Sequence, residues 1–291
     1  MRRSIVYHIP LSYEGRKVIH YLRGEGKLSS RMVITLKNLP DGILLNDAPT
    51  RTIDRLKAGD TLEIRLPEEE NTIAPQPMAL DMVYEDEDLL VINKPANLAM
   101  HPTHNHQGDT LANGVAAHLL SQGRAATFRA VGRLDKCTSG LVLCALNGVA
   151  AAALAGRIEK SYLALPSGCY RGAGVINRPI IRPDPMKTLR AVGEGGEYAV
   201  TTWESLAAGN ACSLVRVRPL TGRTHQIRVH FASLGTPLLG DDMYGGSRER
   251  IGRAALHCAS MGFVHPISGK ELFFSCPMPP DMQRAARAAM L

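Results

Sequence analysis

The alternation of apolar and polar positions changes rhythm once along the chain. Within residues 1–70, Arg16 to Gly24 carries Val18, Ile19 and Leu22 at helical spacing. Ser30 to Leu36 predicts a second helix, with Ser29 or Ser30 as its N-cap. GILLNDAPT (42–50) reads as strand, turn, strand, and LKAGDTLEIRLP (56–67) turns at Gly59-Asp60 into an alternating strand from Thr61 to Leu66. The acidic, proline-bearing stretch 68–77, EEENTIAPQP, has no periodicity and reads as a semi-extended linker. The expected organisation is a small module over 1–70, a linker over 71–77 and a large domain over 78–291.

From Met78 onward the apolar runs predict strands at VYEDEDLLVINKP (83–95), GLVLCAL (140–146), KSYLAL (160–165), AVTTWESL (199–206), CSLVRVRPL (212–220), LHCASMGFV (256–264) and ELFFSC (271–276). Two helices interrupt them. Thr110 to Leu120 places Leu111, Val115 and Leu119 on one face; Thr224 to Ser233 places Ile227, Phe231 and Leu234 together, with Gly235 set to end it. AAGNA (207–211) lies between two alternating runs, as a hairpin does. Hairpin-joined strands with inserted helices predict an α+β fold: a mixed, largely antiparallel sheet preceded by a small N-terminal α/β domain.

Composition narrows the function classes. The 291 residues are 45% hydrophobic and 21% charged, an ordinary globular balance with no disordered or fibrous bias. The longest apolar stretch, Leu141 to Gly156, is broken by Asn147 and Gly148 and is too short for a bilayer-spanning helix, so no membrane partner is expected. The N-terminus has basic residues but no apolar export core, which predicts a cytoplasmic protein. Six cysteines without a C-x-x-C pair predict reduced, structural thiols. The formal charge of +7 tilts the partner towards a polyanion.

Three segments place charged residues in apolar surroundings. In GRLDKCTSGLVLCAL (132–146), Arg133 and Asp135 straddle Leu134 at the mouth of an apolar strand; such a carboxylate is a turn cap or an active-site group. In RPLTGRTHQIRVHFASLGTPLLGDDMYGG (218–246), Arg223, His225 and Arg228 crowd a helix N-terminus. Cations are unfavourable there, so they require a bound anion or a partner carboxylate. In NKPANLAMHPTHNHQGDTLANGV (93–115), His101, His104 and His106 raise a metal site, but no further ligand at i,i+4 helical spacing supports one.

Taken together, NKPANLAMHPT, GRLDKCTSG, KSYLA and TGRTHQIRVHFASLGTPLLGD resemble, in order and spacing, the motifs of the RluA-type pseudouridine synthases, which modify large-subunit ribosomal RNA and some transfer RNAs. The N-terminal layout resembles the S-four-type RNA-binding module that many members carry. The resemblance implies an isomerase acting on structured RNA, ribosomal or transfer. Asp135 matches the family's essential aspartate, which attacks or assists as the glycosidic bond breaks. Arg133 matches an arginine that enters the RNA stack vacated by the flipped uridine. Tyr162 matches a tyrosine that packs on the flipped uracil and is a candidate for proton transfer. Arg228 matches the basic residue paired with the aspartate, and Arg223 a phosphate contact. His225 and Lys160, with Arg16, Lys17 and Arg31 of the module, complete the expected RNA contacts.

Because the reaction detaches uracil and rejoins it through carbon with no redox change, neither a cofactor nor a metal is expected, and a monomer suffices. Two features depart from the family: Gly132 stands where histidine is usual, and the helical segment from Gly148 to Arg157 is short. The competing reading is a ribosome-associated RNA-binding protein that keeps the fold without turnover. Intact Asp135, Tyr162 and Arg228 speak against it. A hydrolase built on Ser139 lacks a G-x-S-x-G elbow, and a metal hydrolase built on the three histidines lacks ligands.

Overall fold

The computed structural model describes residues 2–69, 71–104, 106–124 and 126–290; Met1, Glu70 and Leu291, which bound the expected units, fall outside it. Strands β1 (Ser4–His8), β2 (Ile43–Leu45), β3 (Ala48–Pro49) and β4 (Thr61–Arg65) form a four-stranded sheet in the order β1-β4-β2-β3. Helices α1 (Val18–Arg23) and α2 (Ser30–Lys37) cover it. Ser29 caps α2, its side chain accepting the Met32 N–H, and Val33 and Leu36 turn inward. Ile5, Val18, Leu22, Leu36, Leu62 and Ile64 meet in a core of their own.

Residues 71–77 hold no regular element, but they are not a free linker. Ile73 packs on the larger core, Gln76 donates its N–H to the Asn113 carbonyl, and Asn113 Nδ2 donates to Ala74 O. The expected continuous strand 83–95 is in fact a hairpin, β5 (Met82–Glu85) and β6 (Leu89–Lys94). The Asp86 carboxylate accepts the N–H groups of Asp88 and Leu89, and this side-chain turn outcompetes extended backbone. After α3 (Leu111–Ser121), capped by Thr110, come β7 (Arg129–Ala130), β8 (Ser139–Ala145), the short α4 (Gly148–Leu154) and β9 (Glu159–Ala164).

The chain continues through β10 (Ala173–Asn177), the small pair β11 (Ile180–Ile181) and β12 (Ala191–Val192), β13 (Val200–Ala208), β14 (Ser213–Pro219), α5 (Gln226–Ala232), β15 (Leu256–Val264), β16 (Glu271–Ser275) and α6 (Pro280–Met290). Ten strands make one sheet along the path β10-β13-β14-β9-β15-β8-β6-β5, with β16 paired to β15 and β7 to β8. Its described pairings are antiparallel except β15 with β8, so the expected mixed, largely antiparallel sheet is the architecture found. α5 starts two residues later than the pattern predicts, and Leu234, expected on its buried face, lies beyond its end and is 40% exposed. The pattern also missed α6, whose Met282, Ala285 and Ala289 close a separate core with Leu165 and Leu239.

The module is joined to the large sheet by charge and by packing. Arg3 forms a bidentate pair with the buried Asp88, at 2.9 and 2.7 Å, and Asn147 Nδ2 donates to the same carboxylate. Val149 of α4 and Ile267 extend the module's core.

The parallel pair at the centre of the sheet depends on Gly140. Its φ is +108°, and a Cβ there would stand 2.2 Å from the Cys258 carbonyl oxygen, a backbone atom that cannot swing aside. Gly140→Ala is therefore expected to destabilise the protein by about 3 kcal/mol or more. Chemical denaturation checks this: a lower midpoint at unchanged slope is expected.

Candidate active site

The segment before β8 fixes the central acid. Leu134 is buried in the large core, so its neighbours Arg133 and Asp135 point the other way, into a cavity of about 520 Å³. Asp135 O accepts the Thr138 N–H, closing the turn. Two cations brace that turn from behind. Lys94 is fully buried and its Nζ donates to the carbonyls of Pro95 (2.8 Å), Leu98 (2.9 Å) and Lys136 (3.3 Å). Burial pushes its pKa down to about 8. Arg253 donates to Cys137 O at 3.2 Å while Asp281 of α6 grips its other edge at 2.7 and 3.0 Å.

The Asp135 side chain meets α5. Arg228 Nη1 lies 3.1 Å from Asp135 Oδ2, while Arg228 Nε and Nη2 form two 2.7 Å bonds to Asp241. Side-chain exposure falls from 25% at Asp135 to 6% at Arg228 and 0% at Asp241. Burial opposes the guanidinium charge, yet the hydrogen bonds to Asp241 and the nearby negative groups outweigh it and raise the Arg228 pKa. The arginines crowding this helix end are thus answered by carboxylates, since Arg223 pairs with Glu197 at 2.6 Å and donates to Tyr198 O.

His225 enters the helix at φ +57°, a left-handed conformation unusual for a residue with a side chain, and this delays the start of α5. Its Nδ1 is 2.8 Å from Tyr244 OH, which itself accepts the Arg190 N–H. Its Nε2 lies 3.9 Å from Asp135 Oδ2. Burial lowers the His225 pKa despite the nearby Asp135. Gln226 is buried and uses both ends of its amide, accepting from Thr221 Oγ1 and Arg223 N and donating to Val200 O and Thr201 Oγ1, so the loop before α5 is pinned.

Tyr162 and Lys160 face the same cavity from β9. Burial, then Cys258 and Asp135, raise the Tyr162 pKa well above its ordinary value and keep it a neutral phenol. Arg133 is exposed at the cavity wall. The structure thus gathers Asp135, Tyr162, Arg228, Arg133, Arg223, His225 and Lys160 around one cavity. Arg16, Lys17 and Arg31 are elsewhere, exposed on the N-terminal module, Arg16 lying over the Tyr13 ring.

Asp241, Tyr244, Lys94 and Arg253 escaped the sequence reading. For Asp241 a signal existed: an acid set in the apolar, glycine-rich LLGDDMYGG, downstream of an arginine that needed a carboxylate. The loop histidines have other partners. His106 pairs with Asp109 at 2.7 Å and lies 3.0 Å from Lys136 Nζ, and His101 packs edge-on against Phe128. Among the described residues, Asp86, Asp88 and His265 bring ligand-type atoms together, but Arg3, Asn147 and Tyr84 already bond those carboxylates. No helix among the described residues is long and apolar enough to cross a membrane.

Known proteins resemble this chain over most of its length. The profile described as RNA pseudouridylate synthase matches residues 88–233, which span Asp135, Tyr162 and Arg228. The RNA pseudouridine synthase YjbO of Bacillus subtilis (strain 168) is 36% identical over 269 residues, 90% of this chain and 95% of that protein. Ribosomal large subunit pseudouridine synthase D of Zymomonas mobilis is 38% identical over 251 residues, 79% of each chain. The solved structure of human RNA pseudouridylate synthase domain containing 1 superimposes with a TM-score of 0.56 at 29% identity, covering 69% of this chain and 86% of its own. The chain belongs to the RNA pseudouridylate synthase family, whose members isomerise uridine in RNA to pseudouridine.

Proposed function

We propose that Asp135 is the catalytic group of this isomerase and that its substrate is large-subunit ribosomal RNA. The observation that carries the first part is Arg228, clamped by Asp241 and presenting its remaining face to Asp135 inside the one cavity that also holds Tyr162. A carboxylate held at 3.1 Å by a fixed guanidinium has one oxygen anchored and the other free to attack, the orientation a nucleophile needs. Asp135 bonds to C1′ of a flipped uridine as the C1′–N1 bond breaks. The base turns, C5 bonds to C1′ and the carboxylate leaves; C5 loses a proton and N1 gains one. Tyr162 supports the base, and Arg133 fills the gap in the RNA stack, offsetting the unstacking cost of a few kcal/mol. Atoms and electrons balance without a cofactor, and the enzyme works as a cytoplasmic monomer. The choice of ribosomal over transfer RNA rests on relatives named for the ribosomal large subunit.

The module over residues 1–70 supplies affinity. Exposed Arg16, Lys17 and Arg31 contact phosphates, while Arg223, at the cavity, contacts the phosphate nearest the flipped nucleotide.

Three outcomes are expected. Deleting the gene removes at least one pseudouridine from large-subunit ribosomal RNA in a transcriptome-wide map, and an Asp135→Asn copy fails to restore it, its rate lying several orders of magnitude below wild type at equal RNA affinity. A loss confined to transfer RNA overturns the substrate; more than about a tenth of the wild-type rate overturns Asp135. Asp241→Asn leaves Arg228 half-held, which costs about 3–5 kcal/mol of stability and slows the single-turnover rate about a hundredfold through misplacement of Asp135; thermal melts and RNA binding measured together separate the two effects. Replacing Arg16, Lys17 and Arg31 by glutamine shallows the log-log salt dependence of RNA binding by about two, with the saturated rate unchanged. An unaltered slope removes the module's assigned role.

A further inference from the structure

Lys160 is the cation of this cavity that the reaction scheme above leaves unused. It sits on β9 two residues before Tyr162, so the two side chains leave the same face of the strand, their Cα atoms about 6–7 Å apart. Arg228 is committed to Asp135 and Asp241, and Arg223 to Glu197 and Tyr198 O. Arg133 is exposed to water, whereas Lys160 is partly buried, and burial lowers its pKa. Among the described residues no carboxylate oxygen lies within 4 Å of Lys160 Nζ, and no hydrogen-bond acceptor is paired with it. An ammonium placed in a partly desolvated wall without an anion costs free energy unless a ligand supplies the negative charge.

Gly132 makes room for it. A Cβ at residue 132 would stand 3.1 Å from Lys160 Nζ, and the backbone there is at φ +79°, where side chains are disfavoured. Any larger residue would therefore contend with the ammonium for the same volume. The acid and the ammonium occupy separate places in the cavity: Asp135 is held by Arg228 and approached by His225, not by Lys160. A nucleotide with its C1′ at Asp135 and its base along Tyr162 would lie in the cavity that Lys160 also lines, beside Tyr162 on the same strand.

The chemistry says what charge arrives there. When C1′–N1 breaks with Asp135 bonding to C1′, both electrons of the broken bond stay on the base. Detached uracil is then a monoanion, its charge shared over N1, O2 and O4, until C5 bonds to C1′ and the carboxylate leaves with the charge. We propose that Lys160 is a catalytic residue that stabilises this detached uracil anion through its carbonyl oxygens, in the space left open by Gly132. The role rests on Asp135 acting as the nucleophile. It also answers how the base is retained, since an anion paired to the wall during its rotation is held against escape to water.

The test compares two transcripts of the RNA carrying the mapped site, one with uridine and one with 5-fluorouridine, whose electron-withdrawing fluorine stabilises the base anion by itself. Loss of the target nucleoside is followed at saturating enzyme by nuclease digestion and mass spectrometry. Lys160→Met, close in length to lysine, is expected to slow uridine detachment about a hundredfold and 5-fluorouridine detachment by a clearly smaller factor, with RNA affinity and its salt slope unchanged. Lys160→Gln is measured in parallel, and both variants are checked by thermal melting, so that a folding defect in one does not decide the result. Equal slowing on both RNAs overturns the proposal. So does a weaker, less salt-dependent RNA affinity with an unchanged saturated rate, which would make Lys160 a phosphate contact. Asp135→Asn is run on the same RNAs: activity in that variant defeats the nucleophile reading itself, whereas its inactivity beside equal slowing by Lys160→Met defeats only the role given to Lys160.

Discussion

One guanidinium shared by two carboxylates organises the candidate active site. Arg228 spends its Nε and one Nη on Asp241, which is wholly buried, and turns its last nitrogen to Asp135, which is not. The inner contact is a bidentate pair that fixes the plane of the guanidinium, so the outer contact inherits a direction as well as a charge. Because one cation stands between two anions, Asp135 is steadied without being neutralised. Excess negative charge collects at the inner end of the cavity, while Arg133, Lys160 and Arg223 set positive charge around the rest of its wall. Under the function proposed here, that polarity suits a phosphodiester chain arriving from outside and a carboxylate attacking from within.

The same acid is positioned a second time through its backbone. Lys94 and Arg253 hold the carbonyls of Lys136 and Cys137, the two residues after Asp135, and each is itself locked, Lys94 by two more carbonyls and Arg253 by Asp281 of the C-terminal helix. Buried cations of this kind are weak contributors to net stability, because desolvation offsets much of their attraction. Their effect is geometric. The turn bearing Asp135 is held on one side by the antiparallel neighbour β6, which carries Lys94, and on the other by the parallel neighbour β15, which follows directly after Arg253.

What the sequence reveals, and what it hides, divides by the range of the interaction. Asp135 and Arg228 are legible because each is a charge in a local pattern that is odd for its surroundings, at a strand mouth or a helix end, whereas Tyr162, inside β9, is marked only by the motif resemblance. The strands β8, β9, β13, β14, β15 and β16 and the Ser29 cap are legible for the same local reason. The β5–β6 hairpin is hidden because a single carboxylate, Asp86, folds back on its own backbone inside what reads as one apolar run. The true start of α5 is hidden because the left-handed turn at His225 is sustained by Tyr244, nineteen residues away. Asp241 and Arg253 acquire their importance from Arg228, Cys137 and Asp281, contacts that no spacing rule anticipates. Lys94 looks like an ordinary strand-end lysine until its burial is seen.

Strand β6 also ties the two halves of the molecule to one geometry. Asp88, just before the strand, takes Arg3 of the N-terminal module, accepts Asn147 Nδ2 and gives its carbonyl to Leu146 N, while Lys94, at the far end, braces the turn bearing Asp135. Six residues of extended chain separate these ends by about 20 Å, and all of them pair with β8, the strand that follows Asp135. A paired strand in the middle of a sheet does not stretch, so the distance from the module to the cavity is set by the sheet and not by the 71–77 segment, which is itself fastened to α3. RNA gripped by Arg16, Lys17 and Arg31 would therefore reach Asp135 only if its fold spans that fixed distance. Under the function proposed here, the choice among uridines then rests on the shape of the surrounding RNA, since the cavity holds a single base and all uridines present it with the same one.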